Sequence, residues 1–305
     1  MELIRPDINI DFVGKRYIAV GVSWLVILIG VVSLLAKGGP EYGIDFSGGT
    51  LVQAKLAATT GATELRDALH GLQLKGMTIQ QVGDKGDEYL IRVQESSDKL
   101  ESFAANIQKT LEQRYGSGKV EIRRTEMVGP QVGKDLRSKA TLAVVYAIIG
   151  MLVYITFRFE FRFGAGAVIA LVHDVLITLG IFSLLNLEID LTIIAAFLTI
   201  VGYSVNDTVI VCDRIRDNMG KLSNQKLDVI INRSINETLS RTVMTSGITL
   251  LSVVAMYVFG GEVLRNFSFA LLIGIVVGTY SSIFVAAPVI LFWEHYKQRK
   301  TAGAA

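Results

Sequence analysis

The sequence predicts a membrane bundle of six helices with one small α+β domain inserted after the first. Two observations carry this. Hydrophobic residues make up 51% of the 305-residue chain and the mean hydropathy is +0.46, more apolar than an ordinary soluble protein. These residues gather into runs close to the about 20 helical residues that cross a bilayer, and a charged, mixed stretch over 37–138 separates the first run from the rest.

The first run is Tyr17 to Ala36, preceded by Lys15 and Arg16. A signal peptide also begins with basic residues, but its apolar core is shorter and a small-residue cleavage site follows it. No such site follows Ala36, so the run is expected to be a retained transmembrane helix, ended by Lys37-Gly38-Gly39-Pro40. Residues 1–16 are then a tail.

Residues 37–138 contain no lipid-length run. Leu51 to Leu56 partly alternates, as a strand should. Thr63 to Leu72 suits a short helix with Thr63 as its cap. Met77 to Val82 and Tyr89 to Val93 flank the turn Gly83-Asp84-Lys85-Gly86-Asp87 and suit a hairpin. Lys99 to Tyr115 places Leu100, Phe103, Ala104, Ile107 and Leu111 at helical spacing, and Lys119 to Met127 is a last strand. The order β-α-β-β-α-β is the ferredoxin-like pattern. It fixes an architecture and implies no chemistry.

From residue 139 the chain returns to lipid-length runs: 140–157, 164–185, 191–212, 243–259 and 267–293, with a loop over 213–242 and a tail over 294–305. Basic residues near helix ends set the orientation. The amino tail, the turn with Arg158 and Arg162, the long loop and the carboxyl tail are basic, whereas Asn186 to Asp190 carries no Lys or Arg. Both termini are expected in the cytoplasm and the inserted domain outside. Its own lysines do not count, because long domains translocate regardless of charge.

A net charge of +2, with no basic stripe among aromatics, points away from nucleic acid. The single Cys212 excludes an internal disulfide and a cysteine metal cluster and suits a packed or lipid-facing residue. His70, His173 and His295 show no metal-ligand spacing, so neither metal nor cofactor is expected. No Walker A, H-E-x-x-H or G-x-S-x-G sequence occurs, so no enzyme chemistry of those kinds is expected.

What remains is polarity inside the apolar runs. Asp207 lies in Gly202-Tyr203-Ser204-Val205-Asn206-Asp207-Thr208, about five residues and roughly 7–8 Å from the end of its run. A carboxylate at such depth costs on the order of 2.5–3.5 kcal/mol, so it should face a cavity or a partner and can take up and lose a proton. A structural hydrogen bond near the interface is the plainer reading. Arg241 opens the next run, with Thr242, Thr245, Ser246 and Thr249 following. It suits a partner for Asp207 and suits equally a positive-inside anchor. His173-Asp174 lies mid-run, where a proton relay and a buried structural pair are both open readings. Adjacent residues cannot share one helix face fully. Gly274-Ile275-Val276-Val277-Gly278 is a G-x-x-x-G that allows close helix approach. Asp213, Arg214, Arg216 and Asp217 are most simply a solvated face.

Seven stretches in order resemble the SecD/SecF family of protein-export subunits, on its SecF side. They are Gly43-Ile44-Asp45-Phe46-Ser47-Gly48-Gly49-Thr50, Val128-Gly129-Pro130-Gln131-Val132-Gly133, Phe157-Arg158-Phe159-Glu160, Ala170-Leu171-Val172-His173-Asp174, Gly202 to Thr208, Val211 to Asn218, and Arg241 to Gly247. The resemblance covers nearly the whole chain. It implies half of a pseudo-symmetric unit of the resistance-nodulation-division type in the bacterial inner membrane. The implied partners are SecD, SecYEG, YajC/YidC and an unfolded exported polypeptide, with H⁺ or Na⁺ as the driving ion. It also implies ion-relay roles for Asp207 and Arg241, with His173, Asp174, Tyr203, Ser204, Asn206 and Thr245 in support. A half-size efflux or lipid transporter of the same superfamily, or a non-conducting assembly scaffold, are the alternatives.

Overall fold

The computed structural model describes residues 8–82, 86–94 and 100–302. The chain divides into two compact units: residues up to Glu41 with Leu142 onward, and Tyr42–Thr141.

The smaller unit is the expected ferredoxin-like sandwich. A one-turn helix α2 (Ile44–Ser47) precedes β1 (Gly49–Leu56), α3 (Ala62–Leu69), β2 (Thr78–Val82), β3 (Glu88–Val93), α4 (Leu100–Tyr115) and β4 (Val120–Val128). All pairings are antiparallel, in the order β2-β3-β1-β4, with Val52 opposite Ile91 and Ala54 opposite Tyr89. Alternate β1 residues Val52, Ala54 and Leu56 meet Leu65, Leu69, Ile107 and Leu111 of the helices in one core. That is the period-2 against period-3.6 match the sequence spacing demands. The cap differs from expectation: α3 starts at Ala62 after an extended Gly61, and Thr63 falls inside the first turn. The expected start of α4 at Lys99 and the turn residues Gly83, Asp84 and Lys85 lie outside the described residues.

The larger unit holds α1 (Arg16–Ala36), most of α5 (Pro130–Arg158), α6 (Phe161–Leu184), α7 (Leu191–Lys221), α8 (Leu227–Phe259), α9 (Gly261–Ser281) and α10 (Ala287–Ala302). A π-helical turn over Ser282–Ala286 joins α9 to α10. Among the described residues, six helices are long and apolar enough to cross a membrane, the last being the continuous Val263–Tyr296 rod. Helix ends follow local chemistry. Asp190 caps α7 by accepting from the Ile193 amide at 2.9 Å. Beyond α1, the Gly39 amide returns to Leu34 O at 2.8 Å with φ of 127°, a backbone state that glycine adopts freely.

Hydropathy reads the thickness of lipid, and the helices run past it. The expected loop over 213–242 is instead helical except near 222–226, forming a hairpin of α7 and α8. Glu237 ties the hairpin, accepting from Arg214 Nε at 2.6 Å, Arg233 Nε at 2.8 Å and Asn218 Nδ2 at 2.7 Å. On the expected solvated face of α7, Asp213, Arg216 and Asp217 are exposed, while Arg214 makes a helix–helix contact. Likewise α5 begins ten residues ahead of the run that starts at Ala140.

Burial sorts the spans. Within their apolar windows 56% of α6, 50% of α7 and 50% of the last rod are buried, against 11% for α1 and 11% for α5. Helices α6, α7 and α9 therefore make the interior, and polar groups on their buried faces are removed from both lipid and water. Cys212 is packed into that interior. Close approach between helices depends on glycine, as two crossings show. A Cβ at Gly30 of α1 would lie 2.7 Å from Gly180 Cα of α6, and one at Gly278 of α9 would lie 3.1 Å from Ser204 Cβ of α7.

Candidate functional site

The interior helices carry two buried carboxylates. Asp207 on α7 is 1% exposed. Its Oδ2 accepts from Ser246 Oγ of α8 at 3.1 Å, and Ser246 is in turn 2.8 Å from Thr279 Oγ1 of α9. The other oxygen, Oδ1, is buried with no hydrogen-bond partner among the described residues, as are Thr208 Oγ1 and Thr242 Oγ1. Buried polar atoms are normally paired, so this is a site of incomplete satisfaction among hydroxyls.

The second centre is more completely bonded. His173 and Asp174 are both buried, at 5% and 0% exposure. Both therefore turn inward, which adjacent positions on one helix allow only because α6 has neighbours on more than one side. Asp174 Oδ1 lies 2.8 Å from His173 Nδ1, while Oδ2 accepts from Ser204 Oγ of α7 at 2.6 Å and Ser281 Oγ of α9 at 2.8 Å. His173 Nε2 is 3.0 Å from Ser23 Oγ of α1, and Ser23 Oγ is 3.0 Å from Tyr280 OH. Tyr280 donates to Ala19 O at 2.7 Å, and its ring stacks with the imidazole. Four helices meet on this one pair.

The remaining expected site residues divide. Ser204 joins the Asp174 centre. Arg241 is exposed and lines an open cavity of about 290 Å³ with Ile210, Asp213, Arg214, Asp217, Glu237 and Thr238. Among the described residues it makes no ion pair with Asp207. Tyr203 is half-buried with its hydroxyl unpartnered, and Asn206 is exposed. Thr245 bonds back to Arg241 O and Thr242 O of its own helix. Sequence reasoning passed over Ser23, Thr279, Tyr280 and Ser281. The run Thr279-Tyr280-Ser281-Ser282 within an apolar span was the available signal; the lone Ser23 offered none. No group of three or more His, Cys, Asp or Glu residues suited to a metal occurs among the described residues.

The chain is similar to known proteins over nearly its whole length. The family pattern described as protein export membrane protein SecD/SecF, C-terminal, matches residues 107–296, and the SecD/SecF GG motif matches 33–59. The protein translocase subunit SecF of Calditerrivibrio nitroreducens is 43% identical over 302 residues, 98% of this chain and 99% of that protein. That of Rhodothermus marinus is 48% identical over 94% of each. The crystal structure of SecDF, a translocon-associated membrane protein from Thermus thermophilus, superposes with a TM-score of 0.86 at 38% identity. It matches 96% of this chain, which spans 40% of that longer one. With six apolar spans, an inserted sheet domain and these relatives, this multi-pass membrane chain belongs to the SecD/SecF family of protein-export membrane proteins, on its SecF translocase-subunit side.

Proposed function

We propose that this chain is the SecF half of a SecDF-type unit in the bacterial inner membrane. With SecD, and beside SecYEG and YajC/YidC, it uses the inward pull on H⁺ or Na⁺ to complete export of unfolded polypeptides. The supporting observation is Asp207: an inward carboxylate on an apolar span, held by a hydroxyl and with its second oxygen bare. An uncompensated charge buried this way is costly by several kcal/mol. A proton or a cation has to meet it, so ion supply sets the state of the site. Hydroxyl partners on α8 and α9 give that state a route into helix packing. Arg241, lining the cavity with Asp213 and Glu237, is the basic member of the same relay. Tyr203, Asn206 and Thr245 are its polar surroundings. In this reading both termini are cytoplasmic, and the inserted sheet unit lies outside, where it works on the emerging chain.

Asp207→Asn keeps size and hydrogen bonding and removes the charge. In cells carrying only this variant, export that depends on the ion gradient should fall tenfold or more, while co-purification with SecD is unchanged. Undiminished export would remove Asp207 from the mechanism. Co-purification with an outer-membrane efflux channel in place of SecD and SecYEG would overturn the export role itself.

A further inference from the structure

The His173–Asp174 centre goes beyond the relay just described, because its hydrogen-bond directions can be counted. Carbonyl Ala19 O only accepts, so the single proton of Tyr280 is spent there. Tyr280 oxygen must then accept from Ser23, whose own single proton is thereby committed. Ser23 Oγ in turn can only accept from His173, so Nε2 carries a proton. On the other side, Ser204 donates to Asp174 Oδ2, and the single proton of Ser281 is shared between that oxygen at 2.8 Å and Gly278 O at 3.1 Å. That leaves Nδ1 facing Oδ1 at 2.8 Å, and one proton must lie between them. Whether it resides on nitrogen or oxygen, the imidazole and carboxyl together are neutral.

We propose that His173 and Asp174 form a second protonation site of the membrane unit, loaded with one shared proton in this conformation, whose release reverses the hydrogen-bond chain that fastens α1. On release one proton passes to water and the pair becomes singly negative. The imidazole keeps one proton, now on Nδ1 toward the carboxylate, and Nε2 is bare. Ser23 turns to donate to Nε2, Tyr280 turns to donate to Ser23, and Ala19 O loses its partner. The proton state of α6 is thereby read on α1.

Other charges do not compete for this role. Of the titratable groups on the helices packed here, Asp207 bonds Ser246, Arg16 pairs with Asp228 at 3.6 Å, and Lys37 bonds Ser183 O and Asn186 Oδ1. Tyr203 has its hydroxyl buried without a partner. None of these makes an ion pair with His173 or Asp174 among the described residues.

The test is nitrogen NMR of the full chain in lipid nanodiscs, with His70→Asn and His295→Asn leaving ¹⁵N-labelled His173 as the sole histidine. At neutral pH the ring should show Nε2 protonated, either alone or with Nδ1. A ring that keeps Nδ1 protonated and Nε2 bare even in acid, where the loaded pair must dominate, would overturn the proposal. Tyr280→Phe removes the hydroxyl that forces Ser23 to accept, so the bare-Nε2 form should rise about tenfold, the weight of one hydrogen bond. An unchanged ring in that variant would equally overturn it. The spectra do not depend on export: an Asp207→Asn variant that exports normally would leave them standing, and a contrary spectrum would leave the role of Asp207 untouched.

Discussion

A carboxylate inside a lipid-length helix has four lone-pair positions to fill and no water to fill them. Asp174 and Asp207 solve this differently. Asp174 gathers an imidazole and two serines, whereas Asp207 has a serine on one oxygen and nothing on the other. Ser246→Ala takes away the donor to Asp207 Oδ2 and leaves a larger deficit, worth about 1–3 kcal/mol. Ion-driven export should fall between about fivefold and a hundredfold, measured beside an unchanged yield of the SecD complex. A loss below twofold would show that Ser246 does not support the carboxylate. At this scale the acidic residues were legible in the sequence, because charge in an apolar run is conspicuous. Their partners were not. Ser23 and Tyr280 join His173 from 150 and 107 residues away, and hydroxyls at helical spacing look alike whether they bond a neighbour or their own carbonyls. Thr245, singled out beside Arg241, takes the second course.

Helices in this unit are longer than the lipid they cross. Residues 213–221 continue α7 and 227–242 begin α8, because helical hydrogen bonding proceeds wherever side chains allow it, charged or not. A hydropathy window registers where lipid ends. It cannot register where the helix ends, and so it turned a helical hairpin into a loop. Packing between elements is set by small residues, above all at the Gly30–Gly180 crossing of α1 on α6. Gly180→Leu places a side chain where the α1 backbone runs. Helix α1 should separate from α6, with Ser33 and Ser183 losing their 2.8 Å contact. A disulfide between Ser33→Cys and Ser183→Cys would report this: ready formation in the parent background, and a loss of at least half with Gly180→Leu. Equal crosslinking in both would mean that the crossing tolerates bulk.

For the molecule as a whole, the abrupt change of composition near 37 and 138 made two units legible, and alternation against helical spacing made the order of elements along the smaller one legible too. Its core is self-contained, with Leu65, Leu69, Ile107 and Leu111 all fully buried against β1 and β3. A soluble fragment spanning 42–138 should therefore unfold cooperatively in urea. Leu111→Ala within it should cost about 2–5 kcal/mol by the cavity it opens. A fragment with no cooperative transition would show that this sheet depends on the membrane helices for its stability.

The π-helical turn at Ser282–Ala286 has a consequence for how the last rod can change over time. A wide turn accommodates one residue more than an α-helical turn, so everything before it is rotated by about 100° relative to an uninterrupted helix. Thr279, Tyr280 and Ser281 reach their partners on α8, α1 and α6 with that phase in place. Loss of a single codon within 282–286 would restore an ordinary helix, conserve its hydropathy almost entirely, and swing all three hydroxyls off their targets at once. The segment thus tolerates exchange of one apolar residue for another far better than any change in its length.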